Sequence, residues 1–121
     1  TSLVSERHAE RIRALLADAR DKGARVQACG PTDSASRAIP LHLVSGVTPD
    51  MRVAREELFG PILPVLPYDA IDEAIAHVNA GERPLALYWF GRDRGESRRV
   101  MDATHSGGVT LNDWGWHVFQ H

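Results

Sequence analysis

Arg55-Glu56-Glu57-Leu58-Phe59-Gly60-Pro61 is the stretch from which the rest of the chain is read. Two adjacent carboxylates, an aromatic ring and a Gly-Pro turn stand directly before the apolar run Ile62-Leu63-Pro64-Val65-Leu66. Glycine and proline punctuate local structure, so a turn here presents Glu57 and Phe59 at the mouth of a strand beginning near Ile62. Buried Leu58 and Phe59 beside an exposed ion pair would give the same string. The seven residues alone leave both readings open.

Downstream, the pattern sharpens into alternating strands and helices. The run Ile62–Leu66 is bounded by prolines and reads as a strand buried on both faces. Pro64 has no N–H for a ladder hydrogen bond, so the strand belongs at an edge or a bulge. Asp69 suits a helix N-cap, and Asp72 complements the helix dipole in the first turn. Ile71, Ala74, Ile75 and Val78 follow at i, i+3, i+4, i+7, and Gly81 ends the helix with Pro84 beyond it. Leu85-Ala86-Leu87-Tyr88-Trp89-Phe90 is apolar without alternation, as expected of a parallel strand covered on both faces. Asp93, with Glu96 three residues on, opens a further helix whose inner face is read as Val100, Met101 and Thr104. Ser106-Gly107-Gly108 then turns the chain into the strand Val109-Thr110-Leu111. The fold class is α/β. Ile62–Leu111 forms a strand-helix-strand-helix-strand unit with a mostly parallel sheet and right-handed crossovers.

Upstream, Ser5 to Lys22 reads as a helix capped by Ser5 and closed by Gly23, with Ile12, Leu15, Leu16 and Ala19 on one face. Arg7, Glu10, Arg11, Arg13, Asp18 and Arg20 make a solvated face. Val26-Gln27-Ala28 is a short strand, Cys29 to Ser34 a loop, Ile39 to Val44 a strand carrying His42, and Ser45 to Asp50 a turn. The tail from Asn112 to His121 is dense in aromatics. Its His117 and His121 are four apart, but two histidines fall short of a zinc ligand set, and no metal is expected.

The 121 residues bound the answer to one domain or a piece of one. A formal charge of −2 leaves no basic footprint for nucleic acid or an anionic membrane. No apolar run reaches transmembrane length. The lone Cys29 excludes an internal disulfide and fits a reducing, cytoplasmic compartment. No base, cation or helix N-terminus near it in sequence would activate it as a nucleophile, so it reads as an inert thiol. Thr1 in place of an initiator Met reads as the start of a processed or excised segment.

Glu-Glu-Leu-Phe-Gly-Pro resembles the cofactor loop of the aldehyde dehydrogenase superfamily. Other pieces follow in that family's order: Asp18-Ala19 with Lys22-Gly23-Ala24, then Met51 to Leu63, then Asp72-Glu73-Ala74-Ile75 with Asn79. Pro84-Leu85-Ala86-Leu87-Tyr88 and Ser106-Gly107-Gly108-Val109-Thr110-Leu111-Asn112-Asp113 complete the series. The resemblance spans essentially the whole chain and is strongest from Met51 onward. Gly-Pro-Ile-Leu-Pro-Val with Ser-Gly-Gly-Val-Thr-Leu-Asn-Asp is nearest in look to the coniferyl-aldehyde-dehydrogenase-like branch.

The resemblance implies that residues 1–121 are a partial catalytic domain with no complete cofactor-binding domain. It implies that Glu57 binds the nicotinamide ribose hydroxyls of NAD or NADP and that Phe59 packs beside the nicotinamide. Trp114, Trp116 and His117 become candidates for lining the aldehyde site. The family reaction needs a cysteine nucleophile and a glutamate base, both carried upstream of the matching region, as is the Gly-rich dinucleotide domain. Cys29 lies too far downstream in the family order to be that nucleophile, so no catalytic residue is assigned. The expectation is a fragment of an NAD(P)+-dependent aldehyde dehydrogenase, inactive alone, binding no cofactor tightly, and self-associating through uncovered apolar faces. The alternatives are a stand-alone α/β binding or regulatory module and a complementing subunit of a split dehydrogenase.

Overall fold

A computed structural model describes residues 3–31 and 37–116. The chain forms two compact units, Thr1–Pro67 and Tyr68–His121.

The first unit is built on helix α1 (Glu6–Asp21). Ser5 caps it by accepting from the His8 N–H at 3.2 Å, and Gly23, at φ +92°, makes the left-handed exit that glycine allows. Strands β1 (Arg25–Ala28), β2 (His42–Ser45) and β3 (Ile62–Val65) form one sheet in that order. β1 pairs antiparallel with β2, and β2 parallel with β3. The register places Val26, Ala28, His42, Val44, Ile62 and Pro64 on one face and Arg25, Gln27, Leu43, Ser45, Leu63 and Val65 on the other. The core holds Ile12, Leu15, Leu16 and Ala19 of α1 with Val44, Met51, Val53 and Ile62. His42 is buried, and its Nδ1–H donates to the Pro40 carbonyl at 2.8 Å, so it is a satisfied core histidine.

Two expectations are corrected here. β3 alternates rather than being buried throughout: Ile62 is buried in the core with α1, while Leu63 and Val65, on the opposite face, are exposed. The charged face of α1 is also not simply solvated, since Arg11 and Asp18 are engaged by residues of the 52–58 segment. Pro64 sits on β3, an edge strand of this sheet, where a missing N–H costs least.

The second unit contains helices α2 (Ile71–Ala80) and α3 (Arg94–Ala103) and the parallel pair β4 (Leu87–Trp89) and β5 (Val109–Leu111). The order β3-α2-β4-α3-β5 is the one read from the sequence, but β3 is hydrogen-bonded to β2, and β4 to β5. Asp93 caps α3 through its Oδ1, which accepts from Gly95 N–H at 2.7 Å and Glu96 N–H at 2.9 Å. The N-cap of α2 is Ala70, not Asp69; a carboxylate still serves this end, as Glu73 accepts from the Asp69 N–H at 3.3 Å. On α3 the inward stripe is Ser97, Val100 and Thr104, whereas Met101 is exposed. Thr104 returns its hydroxyl to the Val100 carbonyl at 2.7 Å, which lets a polar residue occupy that stripe.

β4 is not buried on both faces: Tyr88 within it is 42% exposed, and Leu85 and Phe90, which flank it in the apolar run, are 81% and 66% exposed. Gly107 approaches the chain closely: a Cβ there would stand 2.5 Å from the Leu85 carbonyl oxygen, a backbone atom with little room to yield. Gly107→Ala is therefore expected to destabilise this unit by about 1–3 kcal/mol through overpacking. Thermal melts of the variant and the parent chain check this; an unchanged midpoint would show that the approach relaxes freely.

Candidate functional site

Residues 56–60 lie against the N-terminal half of α1, which supplies contacts at i, i+3 and i+4. His8 Nε2–H donates to the Phe59 carbonyl at 2.8 Å. Arg11 donates to the Leu58 carbonyl at 2.9 Å, the Glu57 carbonyl at 2.5 Å and the Glu56 carboxylate at 3.3 Å. Ile12 lies beneath Gly60, where a Cβ would come within 2.5 Å of its Cδ1. Phe59 adopts φ +47°, a left-handed conformation uncommon for a residue with a side chain. The residue is 81% exposed.

The two adjacent glutamates have separate fates. Glu56 is held by Arg52, whose Nε lies 2.6 Å from Oε1, and by Arg11. Arg52 in turn has its backbone N–H bound by the Asp18 carboxylate at 2.9 Å, beside Lys22 at 3.0 Å. Glu57 is exposed, and its carboxylate accepts no hydrogen bond among the described residues; only its backbone carbonyl is engaged. His8, Arg11, Glu56, Glu57 and Phe59 border an open depression of about 530 Å3. A free carboxylate can accept hydrogen bonds from a pair of hydroxyls, and an exposed aromatic face can lie against a flat ring.

The hydrogen bonds from Arg52 hold the Glu56 carboxyl below its ordinary value of 4.5, with its Arg52 and Arg11 charges adding to this. Asp18 lies below its ordinary 3.8, mainly because it accepts the Arg52 backbone N–H and secondly because of Lys22. Both groups bind protons more weakly folded than unfolded. Their stabilisation is present above the ordinary values and is lost as pH falls through the lowered folded ones. Melting temperature is expected to fall as pH drops below 4.5, and more steeply below 3.8. Glu56→Gln should flatten the upper part of that fall; an identical acid profile in the variant would remove Glu56 from the account.

In the second unit, Trp114 is 77% exposed and Trp116 is exposed with its indole N–H donating to Asp113 at 2.5 Å. His117 lies outside the described residues. Glu57 and Phe59 thus share one depression of the first unit, and the two tryptophans belong to the second. Cys29 is exposed at the end of β1 with no thiol partner among the described residues. A further hollow of about 330 Å3 lies among Ile71, Ile75, Val78, Leu87, Trp89 and Val100.

Sequence reading overlooked His8 and Arg11 as partners of the loop. A signal was present: residues 8 and 11 extend the buried stripe of Ile12, Leu15 and Ala19 by one turn, so polar groups there face neighbours.

A family model described as the aldehyde dehydrogenase family matches residues 1–121. The chain is 49% identical over 125 residues to a probable coniferyl aldehyde dehydrogenase of Caulobacter vibrioides, covering 99% of this chain and 26% of that protein. It is 47% identical over 120 residues to the corresponding Pseudomonas aeruginosa protein, covering 99% and 25%. Among solved structures, substrate-bound Staphylococcus aureus AldH matches with a TM-score of 0.87 at 35% identity, over 98% of this chain and 25% of that one. An NAD-dependent aldehyde dehydrogenase from Sinorhizobium meliloti matches at 0.82 and 29% identity, over 93% and 22%. The chain belongs to the aldehyde dehydrogenase family. Its likeness is to the coniferyl-aldehyde-dehydrogenase-like branch, and its α/β fold corresponds to part of the fold of those enzymes. It spans about a quarter of the length of the curated relatives it matches. No helix among the described residues is long and apolar enough to cross a membrane.

Proposed function

We propose that residues 1–121 form the cofactor-positioning part of an NAD(P)+-dependent aldehyde dehydrogenase that oxidises an aldehyde to a carboxylic acid. The observation that carries this reading is the separation of the two glutamates. Glu56 is taken up by arginines, and Glu57 next to it is left free on a held loop. The residues present fit the nicotinamide half of such a cofactor: Glu57 would accept the two ribose hydroxyls, and Phe59 would lie beside the ring. When bound, NAD(P)+ supplies the hydride acceptor. The part of this chain is to fix the distance and orientation at which that acceptor meets the aldehyde.

Trp114 and Trp116, with His117, are proposed to line the aldehyde site. Aromatic walls suit an aromatic aldehyde, in keeping with the names of the similar proteins. The nucleophile and the general base are assigned to the remainder of the enzyme, so the chain alone is proposed to turn over no aldehyde. The exposed Leu63, Val65, Leu85 and Phe90 are proposed to be covered there, and to drive self-association when they are not. Light scattering across a dilution series checks the second point: a monomer at every concentration would show that these faces tolerate water. The test of function is the paired substitution Glu57→Gln and Glu56→Gln in the whole dehydrogenase, with NAD+ and NADP+ each as acceptor and a panel of aldehydes.

A further inference from the structure

We infer that Arg11, assisted by His8, is the positioning residue that aims Glu57 and Phe59. The inference rests on the cofactor reading of Glu57 above. Three consecutive carbonyls, those of Glu57, Leu58 and Phe59, accept hydrogen bonds from side chains of α1. None of the three has a backbone N–H partner among the described residues. The loop therefore takes its shape from one helix face rather than from a ladder or turn of its own. Arg11 supplies most of that hold. Its planar fork reaches two carbonyls and the Glu56 carboxylate together, and Arg52 grips the same carboxylate on that side. A lysine ammonium is a point charge and cannot reproduce three directed contacts. Glu57 is gripped by its carbonyl, so its carboxylate points where the backbone sends it while remaining free to bind.

The test uses the whole dehydrogenase with Arg11→Met, Arg11→Lys, Glu57→Gln and the double variant Arg11→Met/Glu57→Gln. Two quantities are read: the Kd for NAD+ and NADP+ by calorimetry, and amide hydrogen exchange of peptides covering residues 56–60. Arg11→Met is expected to speed exchange in the loop about tenfold while leaving strand β2 unchanged, the mark of a local release. The Kd should rise about tenfold as Glu57 loses its aim. Arg11→Lys should fall between, at about threefold, because charge alone is retained. The double variant should bind no more weakly than Glu57→Gln by much, since Arg11 acts through Glu57 and coupled sites are non-additive. If Arg11→Met does not fold, Arg11→Lys decides by the same readouts. Wild-type Kd and loop exchange in the Arg11 variants, with Glu57→Gln impaired, overturn this inference alone. Exchange raised equally throughout the protein also overturns it, since that marks a role in general stability. A wild-type Kd in Glu57→Gln overturns the cofactor reading and this inference with it.

Discussion

Glu57→Gln in the whole dehydrogenase is expected to lower the cofactor-dependent rate by about ten- to a hundredfold. The substitution keeps the shape of the side chain and removes its charge. A charge-assisted contact is worth roughly 1.5–3 kcal/mol, which corresponds to that range of rates. Glu56→Gln provides the contrast. Glu56 already answers Arg52 and Arg11, so its loss should appear chiefly in stability. The loop would still be held through the carbonyls of Glu57 and Leu58, and the cofactor-dependent rate should change little. Steady-state rates with cofactor varied, set beside melting curves, separate the two. Equal kinetic losses in both variants would mean that the adjacent carboxylates are not divided between binding and support, and the assignment would be withdrawn.

The second large effect concerns the core beneath the site. Leu15→Ala is expected to destabilise the first unit by about 2–5 kcal/mol, the range for emptying a fully buried leucine position. Leu15 is fully buried among Ile12, Val44 and Met51, so the space left has few exposed neighbours that could collapse into it. A unit of this size has a total stability of only roughly 3–10 kcal/mol at about 0.05–0.15 kcal/mol per residue. The variant should therefore populate unfolded chain under mild urea. Leu15→Met, which conserves volume, should cost less than about 1.5 kcal/mol. Urea denaturation followed by circular dichroism gives both numbers, and a loss under about 1 kcal/mol for Leu15→Ala would show that α1 is not the element on which this unit depends.

The parts of the fold legible in the sequence are those fixed by local chemistry. Ser5 and Asp93 cap helices because their oxygens meet N–H groups two or three residues away. Gly23 ends α1 because the exit is left-handed. The start of β3 at Ile62 follows from the Gly-Pro turn before it. What depends on distant partners was not legible. A continuous apolar run does not say which strand it will pair with, and β3 took β2. Nor does it say whether both faces will be buried, as the exposure of Leu63, Val65, Leu85 and Phe90 demonstrates. On α3, 3.6-residue periodicity admits Ser97 or Met101 on the inner stripe, and packing chose the smaller, more polar residue. The loop was legible as a string, and its geometry was not. Arg11 is more than forty residues from the carbonyls it binds, a separation across which no local rule operates.

The grip of α1 on residues 56–59 also decides when the loop gives up its conformational freedom. Fixing the backbone of one residue costs on the order of 1–2 kcal/mol in entropy, so four residues represent several kcal/mol. Because His8 and Arg11 immobilise them within the first unit, that entropy is lost as the protein folds and not as a ligand arrives. On the cofactor reading, a ribose meeting Glu57 finds the backbone already set and has only the exposed side chain to order, so little of its binding free energy is diverted to arranging the loop.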